Sequence, residues 1–448
     1  KFLNQKENNF LCSIVFGKRN FGISILDYST GEFYTCSREP KYLLNIIKQF
    51  NVSEIIISED QLSKLEVLIE NENFFITKIP EWCRNYETCF ENLTTFFDVK
   101  SLKGFGIQED KLATMSAGCA LYYVDNNYKG RTEHVKSLSI LKEEGIMGLD
   151  ASTIRNLEIF QSLSMQGIHG TLINTIDATS TSVGSRLLKN WLRQPLTNPA
   201  QINNRLDRIS ELIDNSDLLI KLQNILKATS DLERIVSRIS NGKASPRDIL
   251  NIGITLSKIP EIQESINKQT PALKSVIRQL QNTTEICKSI LDKIKEDPPI
   301  STKNGGYIKE GVCKELDKLR LLSSDASSWM LKMQNDEREK NNIPSLKVGY
   351  NRVFGYYFEV TKTHIDKVPK YFIRKQTLTN SERYFTEELK LYEEKILSAE
   401  DKIITLETSL LIDIQDKILQ KSNEIQKNAK ILACLDVAVG LTIIAKKR

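Results

Sequence analysis

The feature that most constrains the fold of this chain is a change of hydrophobic period inside residues 345–427. From Ser345 to Lys362, apolar residues alternate with polar or small ones, and this period of two predicts β-strands. After Thr386 the apolar residues recur every three or four positions, which predicts one helix from Glu387 to Lys427, roughly 60 Å long at 1.5 Å per residue. The stretch therefore predicts a small sheet followed by a long helix.

Local residues set the expected boundaries of these elements. Asn351, Arg352 and Gly355 lie where the first two strands must reverse, and a second alternating segment runs from Lys370 to Phe385. Thr386 is expected to cap the long helix through its side-chain oxygen. No Gly or Pro falls within the predicted helix, so the sequence contains nothing that would break it.

Positive charge is concentrated in the same stretch. Residues 340–383 hold nine Lys and Arg residues and three acids, a net charge of +6, whereas the whole chain of 448 residues carries +5. The rest of the chain is therefore close to neutral. A clustered basic patch is typical of a nucleic-acid-binding surface, although a solvated charged sheet can have the same composition.

Length and composition limit the class of protein. A chain of 448 residues suggests about three domains. Its 40% hydrophobic and 27% charged content is ordinary for a soluble protein, and we expect neither a membrane span nor a signal peptide. The eight cysteines are scattered, which favours reduced thiols over a metal site. The chain begins without Met and close to a strand, so we expect it to be a piece of a longer protein.

Residues 1–125 are predicted to form an α/β domain. Three consecutive strands, then a helix and a strand, is the order of ribonuclease-H-like folds, which raises a nuclease hypothesis. Two-metal nucleases need several convergent carboxylates, and Asp27 is the only acid in the first two strands. We therefore favour a non-catalytic domain. The predicted strands are Phe10–Phe16, Gly22–Asp27, Glu32–Cys36, Glu54–Ser58 and Phe74–Lys78, with a helix over Tyr42–Phe50.

The middle of the chain, residues 126–335, is predicted to be mostly helical. Asp150 is a candidate N-cap, and Pro195 and Pro199 separate a helix that starts at Ser182 from the next one. A further amphipathic helix is predicted over Glu310–Asn335. Three arginines in this region suit either phosphate binding or structural pairing at helix corners: Arg155, Arg186 and Arg193. We favour structural pairing for all three.

Several stretches resemble the MutS DNA mismatch-repair proteins. The runs VGYNRVFGYYFEVTK and YFIRKQTLTNSERYFTEELKLYEEKILSAEDKI resemble the clamp and the descending lever helix of that family, and GISILDYSTGEFYTC resembles its connector domain. The resemblance implies a multidomain protein, α/β plus mainly α: a ribonuclease-H-like connector and a long helical lever domain with a small inserted β-sheet clamp. The implied domains are the connector (1–125), the core or lever (126–335), the clamp (336–386) and the returning lever helix (387–448).

The resemblance also implies a function, non-specific clamping of duplex DNA through phosphates, without reading of bases. It further implies a MutL-type partner on the connector, a homodimeric parent protein, and a bacterial cytoplasmic, nucleoid-associated location. The sequence leaves the oligomeric state of the isolated piece open, and a monomer is compatible with a dimeric parent. The implied DNA contacts are Arg374, Lys375, Thr379, Asn380 and Arg383, followed by Lys347 and Arg352.

The resemblance does not extend to two parts of the family, the ATPase domain and the mismatch-reading domain. No G-x-x-x-x-G-K-[ST] phosphate loop is present, so this chain is expected to bind no nucleotide and to be no enzyme. The resemblance places ATP and Mg in an ATPase domain that follows this part of the family. The Phe-x-Glu wedge of the mismatch-reading domain is matched formally by Phe385 and Glu387, which we interpret as a core residue and a helix-start acid.

No catalytic or metal site is predicted, because the three histidines (His134, His169 and His364) lie far apart in sequence. Two other protein classes remain open: a helical-arm structural or protein-interaction module with a basic tip, and the nuclease. Within the family, a MutS homologue that acts on recombination intermediates is a further alternative.

Overall fold

The structure is a computed structural model that describes residues 4–69, 72–128, 132–141, 145–164, 167–266, 270–351 and 355–447, without the side chains of 128, 323–328 and 396–397. The chain divides into two units. The first contains residues 1–244, 248–290 and 415–448, and the second contains residues 245–247 and 291–414. Both α-helices and β-sheets are present, so the mixed α/β class predicted from the sequence is confirmed.

Ten strands and seventeen α-helices are found in the described residues. The strands are β1 (Leu11–Phe16), β2 (Phe21–Asp27), β3 (Glu32–Arg38), β4 (Glu54–Ser58), β5 (Phe75–Ile79), β6 (Ser139–Ile140), β7 (Lys347–Asn351), β8 (Gly355–Thr361), β9 (Ile373–Thr377) and β10 (Ser381–Phe385). The helices are α1 (Leu43–Gln49), α2 (Leu62–Leu68), α3 (Tyr86–Phe97), α4 (Lys111–Tyr128), α5 (Ala151–Asn156), α6 (Leu172–Ile176), α7 (Ser182–Arg193), α8 (Pro199–Asp214), α9 (Ser216–Lys227), α10 (Leu232–Ser240), α11 (Pro246–Ser257), α12 (Ile259–Ser265), α13 (Pro271–Ile277), α14 (Thr284–Lys293), α15 (Lys314–Asn341), α16 (Glu387–Gln420) and α17 (Ser422–Lys447).

The first unit contains a six-stranded sheet of order β5-β4-β1-β2-β3-β6. Strands β1, β2 and β3 form an antiparallel meander, while β4 pairs parallel with β1 and β5 parallel with β4. Every residue of β2 is buried, because helices cover both faces of the sheet. One face packs on Leu43 and Ile47 of α1, and the other on Ala117 and Val124 of α4. The five strands predicted in this region are confirmed to within two residues at each end.

Helices form the rest of the first unit. The predicted N-cap at Asp150 is confirmed, since its carboxylate accepts a hydrogen bond from the Thr153 N–H at 2.6 Å. The helices predicted to meet at Pro195 and Pro199 are α7 and α8. Helix α17 packs on both of them. Length and hydropathy alone would let α17 cross a membrane, but 67% of its most apolar window is buried, as in the core helix of a soluble protein.

The second unit contains α15, the four-stranded sheet and most of α16. The predicted cap of α16 is confirmed, since Thr386 Oγ1 accepts from the Leu389 N–H at 3.2 Å. The prediction of one helix as far as Lys427 was wrong, because α16 ends at Gln420 and α17 begins at Ser422. At the junction the Lys421 N–H donates to the Ile418 carbonyl at 3.1 Å, a tighter three-residue turn that needs neither Gly nor Pro.

Helix α15 also differs from its predicted bounds of Glu310–Asn335. It starts four residues later, since Gly311 has a φ of +81° and lies outside the helix. It ends six residues later, where Asn342 adopts a left-handed φ of +53° and caps the helix two residues before Pro344.

Candidate nucleic-acid interface

The sheet of the second unit is antiparallel, with the order β7-β8-β10-β9. One of its faces is apolar: Phe358, Val360 and Tyr384 pack with Leu346 and Leu389 in a buried cluster. Because side chains alternate along a strand, the residues between these positions lie on the opposite face, which we call the outer face. The alternation predicted from the sequence is therefore the division between core and outer face.

A row of four side chains crosses the outer face, one from each strand. We call it the charged row, and its members are paired in register: Lys347 with Glu359, Glu359 with Arg383, and Arg383 with Gln376. Two cations flank one carboxylate in this row, which gives it a net charge of +1. The sheet register, and not proximity in sequence, brings them together.

Arg383 has three partners within the charged row and next to it. Its Nε lies 3.2 Å from Glu359 Oε2, and its Nη1 donates to Gln376 Oε1 at 2.9 Å. The guanidinium carbon stands 4.2 Å from the centroid of the Tyr357 ring, a cation–π contact. The Arg383 side chain is only 18% exposed, so this predicted phosphate contact is also a structural residue of the sheet.

The basic pair Arg374 and Lys375 lies on the edge strand β9, at an irregularity in its pairing with β10. Arg374 is opposite Tyr384, on the apolar side of the sheet, and its Nη1 is 3.6 Å from Glu382 Oε1. Its side chain is still 64% exposed, because it stands at the sheet edge. Lys375 lies over the Phe385 ring at 5.1 Å, on the outer face. The edge therefore presents two cations in different directions.

Thr379 and Asn380 form the turn between β9 and β10, and both are exposed. The turn is closed by a hydrogen bond from the Leu378 N–H to the Ser381 carbonyl at 2.9 Å. The Lys362 N–H donates to the Asn380 carbonyl at 3.2 Å, which brings a further lysine backbone to the turn. Arg352, the remaining predicted contact, lies outside the described residues.

The interpretation of Phe385 as a core residue was wrong. It is half-buried on the outer face, opposite the exposed Ile373, because Tyr384 and not Phe385 faces the apolar cluster. On the apolar side, burial and a hydrogen bond to Glu382 raise the pKa of Tyr384 to about 12. That phenol stays protonated and donates to Glu382 at 2.6 Å.

Sequence reasoning did not identify the residues that fix the β7–β8 hairpin to the helices. The rings of Trp329 (α15) and Tyr392 (α16) are stacked 3.6 Å apart beside Tyr356. Glu393 Oε1 accepts from the Tyr356 N–H at 3.1 Å. Gly355 adopts a φ of +70°, and a Cβ at this position would lie 1.7 Å from Glu393 Oε1. The sequence signal that could have suggested this contact is an aromatic residue in the apolar stripe of each predicted helix, Trp329 and Tyr392.

In the first unit, Asp27 and Arg186 were considered for catalysis or phosphate binding, and both are held by structural hydrogen bonds or ion pairs. Asp27 is fully buried and accepts hydrogen bonds from Asn8 at 2.9 Å and from the Ser29 N–H at 2.8 Å. Arg186 is 2% exposed and binds Asp231 at 2.6 Å and Glu233 at 2.7 Å. Among the residues that the structure describes, no group of His, Cys, Asp and Glu could hold a metal ion.

The other two arginines differ from each other. Arg193 is buried, donates to Asn190 at 3.1 Å and lies over the Phe160 ring at 5.0 Å, so structural pairing is confirmed for it. Arg155 is exposed on α5, and its side chain makes no ion pair within the described ranges.

Two models of protein-family domains match this chain. The family model of MutS domain II matches residues 9–136, and that of MutS domain III matches residues 152–442. The chain belongs to the MutS family of DNA mismatch-repair proteins, as the resemblance in sequence predicted.

Relatives match over the length of this chain. The DNA mismatch repair protein MutS of Salinibacter ruber is 37% identical over 452 residues, which cover 100% of this chain and 50% of that protein. The protein of the same name from Bacteroides thetaiotaomicron is 38% identical over 446 residues, which cover 99% of this chain and 51% of its own length. The chain therefore spans about half the length of the relatives it matches.

Proposed function

We propose that this chain is the central section of a MutS-type mismatch-repair protein and that its four-stranded sheet, the clamp, holds duplex DNA through phosphate contacts. The observation that carries the proposal is the placement of exposed cations on the outer face and the edge of one small sheet, next to an exposed polar turn and within the segment of +6 charge. Clustered Lys and Arg neutralise phosphates and release counterions, which is the main source of non-specific affinity for DNA.

The predicted contacts have different roles in this proposal. Lys347, Arg374 and Lys375 are exposed and supply charge. Thr379 and Asn380 supply hydrogen bonds from the β9–β10 turn and fix the position of the duplex. Arg383 contributes charge from its partly buried position, and Arg352 remains a predicted contact. None of these groups reads bases, so we propose affinity without sequence preference.

The remaining assignments are also part of the proposal. The strand order of the first sheet supports a ribonuclease-H-like connector. We also propose that this connector binds a MutL-type partner, as the resemblance to the family implies. The buried hydrogen bonds of Asp27 argue for a connector without nuclease activity. The long helices form the lever, which links the clamp to an ATPase domain in the whole protein. ATP and Mg bind in that ATPase domain. We propose that this section is not itself an enzyme, that the parent is a homodimer, and that it works in the bacterial cytoplasm.

The experiment that tests the proposal is a salt titration of binding to duplex DNA. With four to five phosphates engaged, the log–log slope of the association constant against salt is expected to be about −4. The double variant Arg374→Ala/Lys375→Ala should make the slope shallower by about two.

A matched control removes two lysines far from the clamp in sequence. Lys64→Ala/Lys103→Ala changes the net charge equally in the first unit, where both lysines are exposed, and should leave the slope close to that of the parent. A shallow parent slope, or the same loss in both double variants, would place the basic sheet in the protein-interaction class instead.

A further inference from the structure

The outer face of the clamp contains one carboxylate among its cations. Within the described residues of β7–β10 the acids are Glu359 and Glu382. Glu382 lies on the apolar side, is 11% exposed and accepts from the Tyr384 hydroxyl. Glu359 lies on the outer face, between Lys347 and Arg383 in the charged row. The acid that faces the proposed DNA surface is therefore Glu359.

Glu359 and Arg383 form an ion pair that a phosphate could replace. Their side chains are 37% and 18% exposed, so Glu359 is the more accessible partner. The guanidinium keeps Gln376 and the Tyr357 ring as further partners, which hold it in place without Glu359. A phosphate approaching this face meets a guanidinium whose charge is already paired, and a carboxylate that repels it.

We propose that Glu359 limits the affinity of the clamp for DNA. It does so by pairing with Arg383 and by lowering the positive potential at Lys347. This inference rests on the proposed function, since it assumes that the outer face meets phosphates. DNA binding then exchanges the Arg383–Glu359 pair for an Arg383–phosphate contact, and the exchange leaves Glu359 without its partner. Weaker non-specific binding allows a protein to move along the duplex and to dissociate from it.

The test compares two variants that remove the same formal charge. Glu359→Gln keeps the size and the hydrogen-bonding oxygen of the side chain, whereas Asp366→Asn removes an exposed acid from the connection between β8 and β9. Fluorescence anisotropy with a labelled duplex at low salt should give about three- to tenfold tighter binding for Glu359→Gln. The gain should shrink as salt screens the interaction, and Asp366→Asn should gain clearly less.

A second variant controls for the possibility that Glu359→Gln changes binding by altering the fold. Glu359→Thr places a β-favouring residue in β8 and should also tighten binding, with a thermal unfolding midpoint close to that of the parent. Equal gains in Glu359→Gln and Asp366→Asn would mean that only net charge matters, and would overturn the inference. Weaker binding in Glu359→Gln would overturn it as well, because Glu359 would then be orienting Arg383 for phosphate.

The failure of this inference is distinguishable from that of the proposed function. If Arg374→Ala/Lys375→Ala reduces the salt slope but Glu359→Gln gives no gain, the clamp holds DNA and only the role of Glu359 is refuted. If the parent chain shows no salt-dependent binding, the proposed function fails and the inference fails with it.

Discussion

His134 is a fully buried residue whose ionisation links stability to pH. Its Nε2 lies 2.6 Å from the Tyr28 carbonyl oxygen and its ring packs edge-on against the Tyr28 ring at 4.7 Å. Burial lowers the pKa of His134 from 6.5 to about 4. As the pH falls through this window the unfolded chain takes up a proton that the folded chain does not, so the free energy of unfolding falls.

His134→Gln should remove this component of the pH dependence. Between about pH 7.5 and about pH 5 the parent should lose roughly 2 kcal/mol more stability than the variant, as measured by urea unfolding. Only the difference between the two proteins is informative, because another group acts in the opposite sense. Parallel pH profiles for parent and variant would show that His134 is not held neutral in the folded state.

Glu32 is one of the groups that oppose His134. Burial, with the neighbouring carboxylates of Glu233 and Asp27, raises the pKa of Glu32 from 4.5 to about 7. The folded chain therefore keeps a proton that the unfolded chain has already lost, and this contribution to stability disappears as the pH rises from 4.5 to 7. Since Glu32 is present in both proteins of the comparison, its contribution cancels.

Three elements of the second unit meet at one buried carboxylate, that of Glu407 in α16. Its Oε2 accepts from the Gly306 N–H at 2.6 Å and from the Tyr307 N–H at 3.2 Å. Its Oε1 accepts from Arg320 of α15 at 2.6 Å. Glu407 is completely buried, so its charge depends on these partners for stabilisation. The contact holds the loop before α15, α15 itself and α16 together.

Glu407→Ala should destabilise the protein by about 3–5 kcal/mol, because it leaves two backbone N–H groups without their acceptor and removes the buried carboxylate that pairs with Arg320. Arg320 keeps its hydrogen bond to the Ile308 carbonyl. Asp401→Ala on the same helix removes an exposed carboxylate and should change stability by less than about 0.5 kcal/mol. Chemical denaturation of both variants measures the difference. A loss for Glu407→Ala no larger than that of the control would show that the buried pair contributes little.

The sequence predicted the elements more reliably than their contacts. Alternation and turn residues located the strands of the second sheet, because a strand with one buried face has a period of two whatever it pairs with. In the first sheet, which is covered on both faces, short apolar runs located β1–β5, but the two-residue strand β6 was not predicted. The end of α16 had no such marker, since a three-residue turn at Lys421 requires no special residue. The extent of α15 was missed for a related reason: Asn342, and not a glycine, adopts the left-handed conformation that ends it.

The candidate site was predicted in location but not in detail. Charge and alternation were enough to place the basic residues on one small sheet. The pairing of Arg383 with Glu359 depends on the register of β8 and β10, and residues 24 apart in sequence give no indication of it. Arg186 is a similar case, since Asp231 and Glu233 lie 45 and 47 residues away from it. Long-range partners of this kind need the structure.

At the scale of the whole molecule, we assign DNA binding to the basic segment of a chain that is otherwise close to neutral. Residues 340–383 carry a net charge of +6 in a chain of +5, and they include β7, β8, β9 and most of β10. The first unit contains the residues that match the family model of MutS domain II, 9–136. The central claim is therefore that duplex DNA contacts the clamp and not the exposed surface of the first unit.

Site-specific photo-crosslinking tests this claim most directly. A benzophenone amino acid replaces Thr379 in the exposed β9–β10 turn or, as a control, Val67, which is 78% exposed on α2 of the first unit. We predict a crosslink to duplex DNA from position 379 that high salt abolishes, and little or none from position 67. Equal crosslinking from the two positions, or none from position 379 while the chain still binds DNA, would contradict the account.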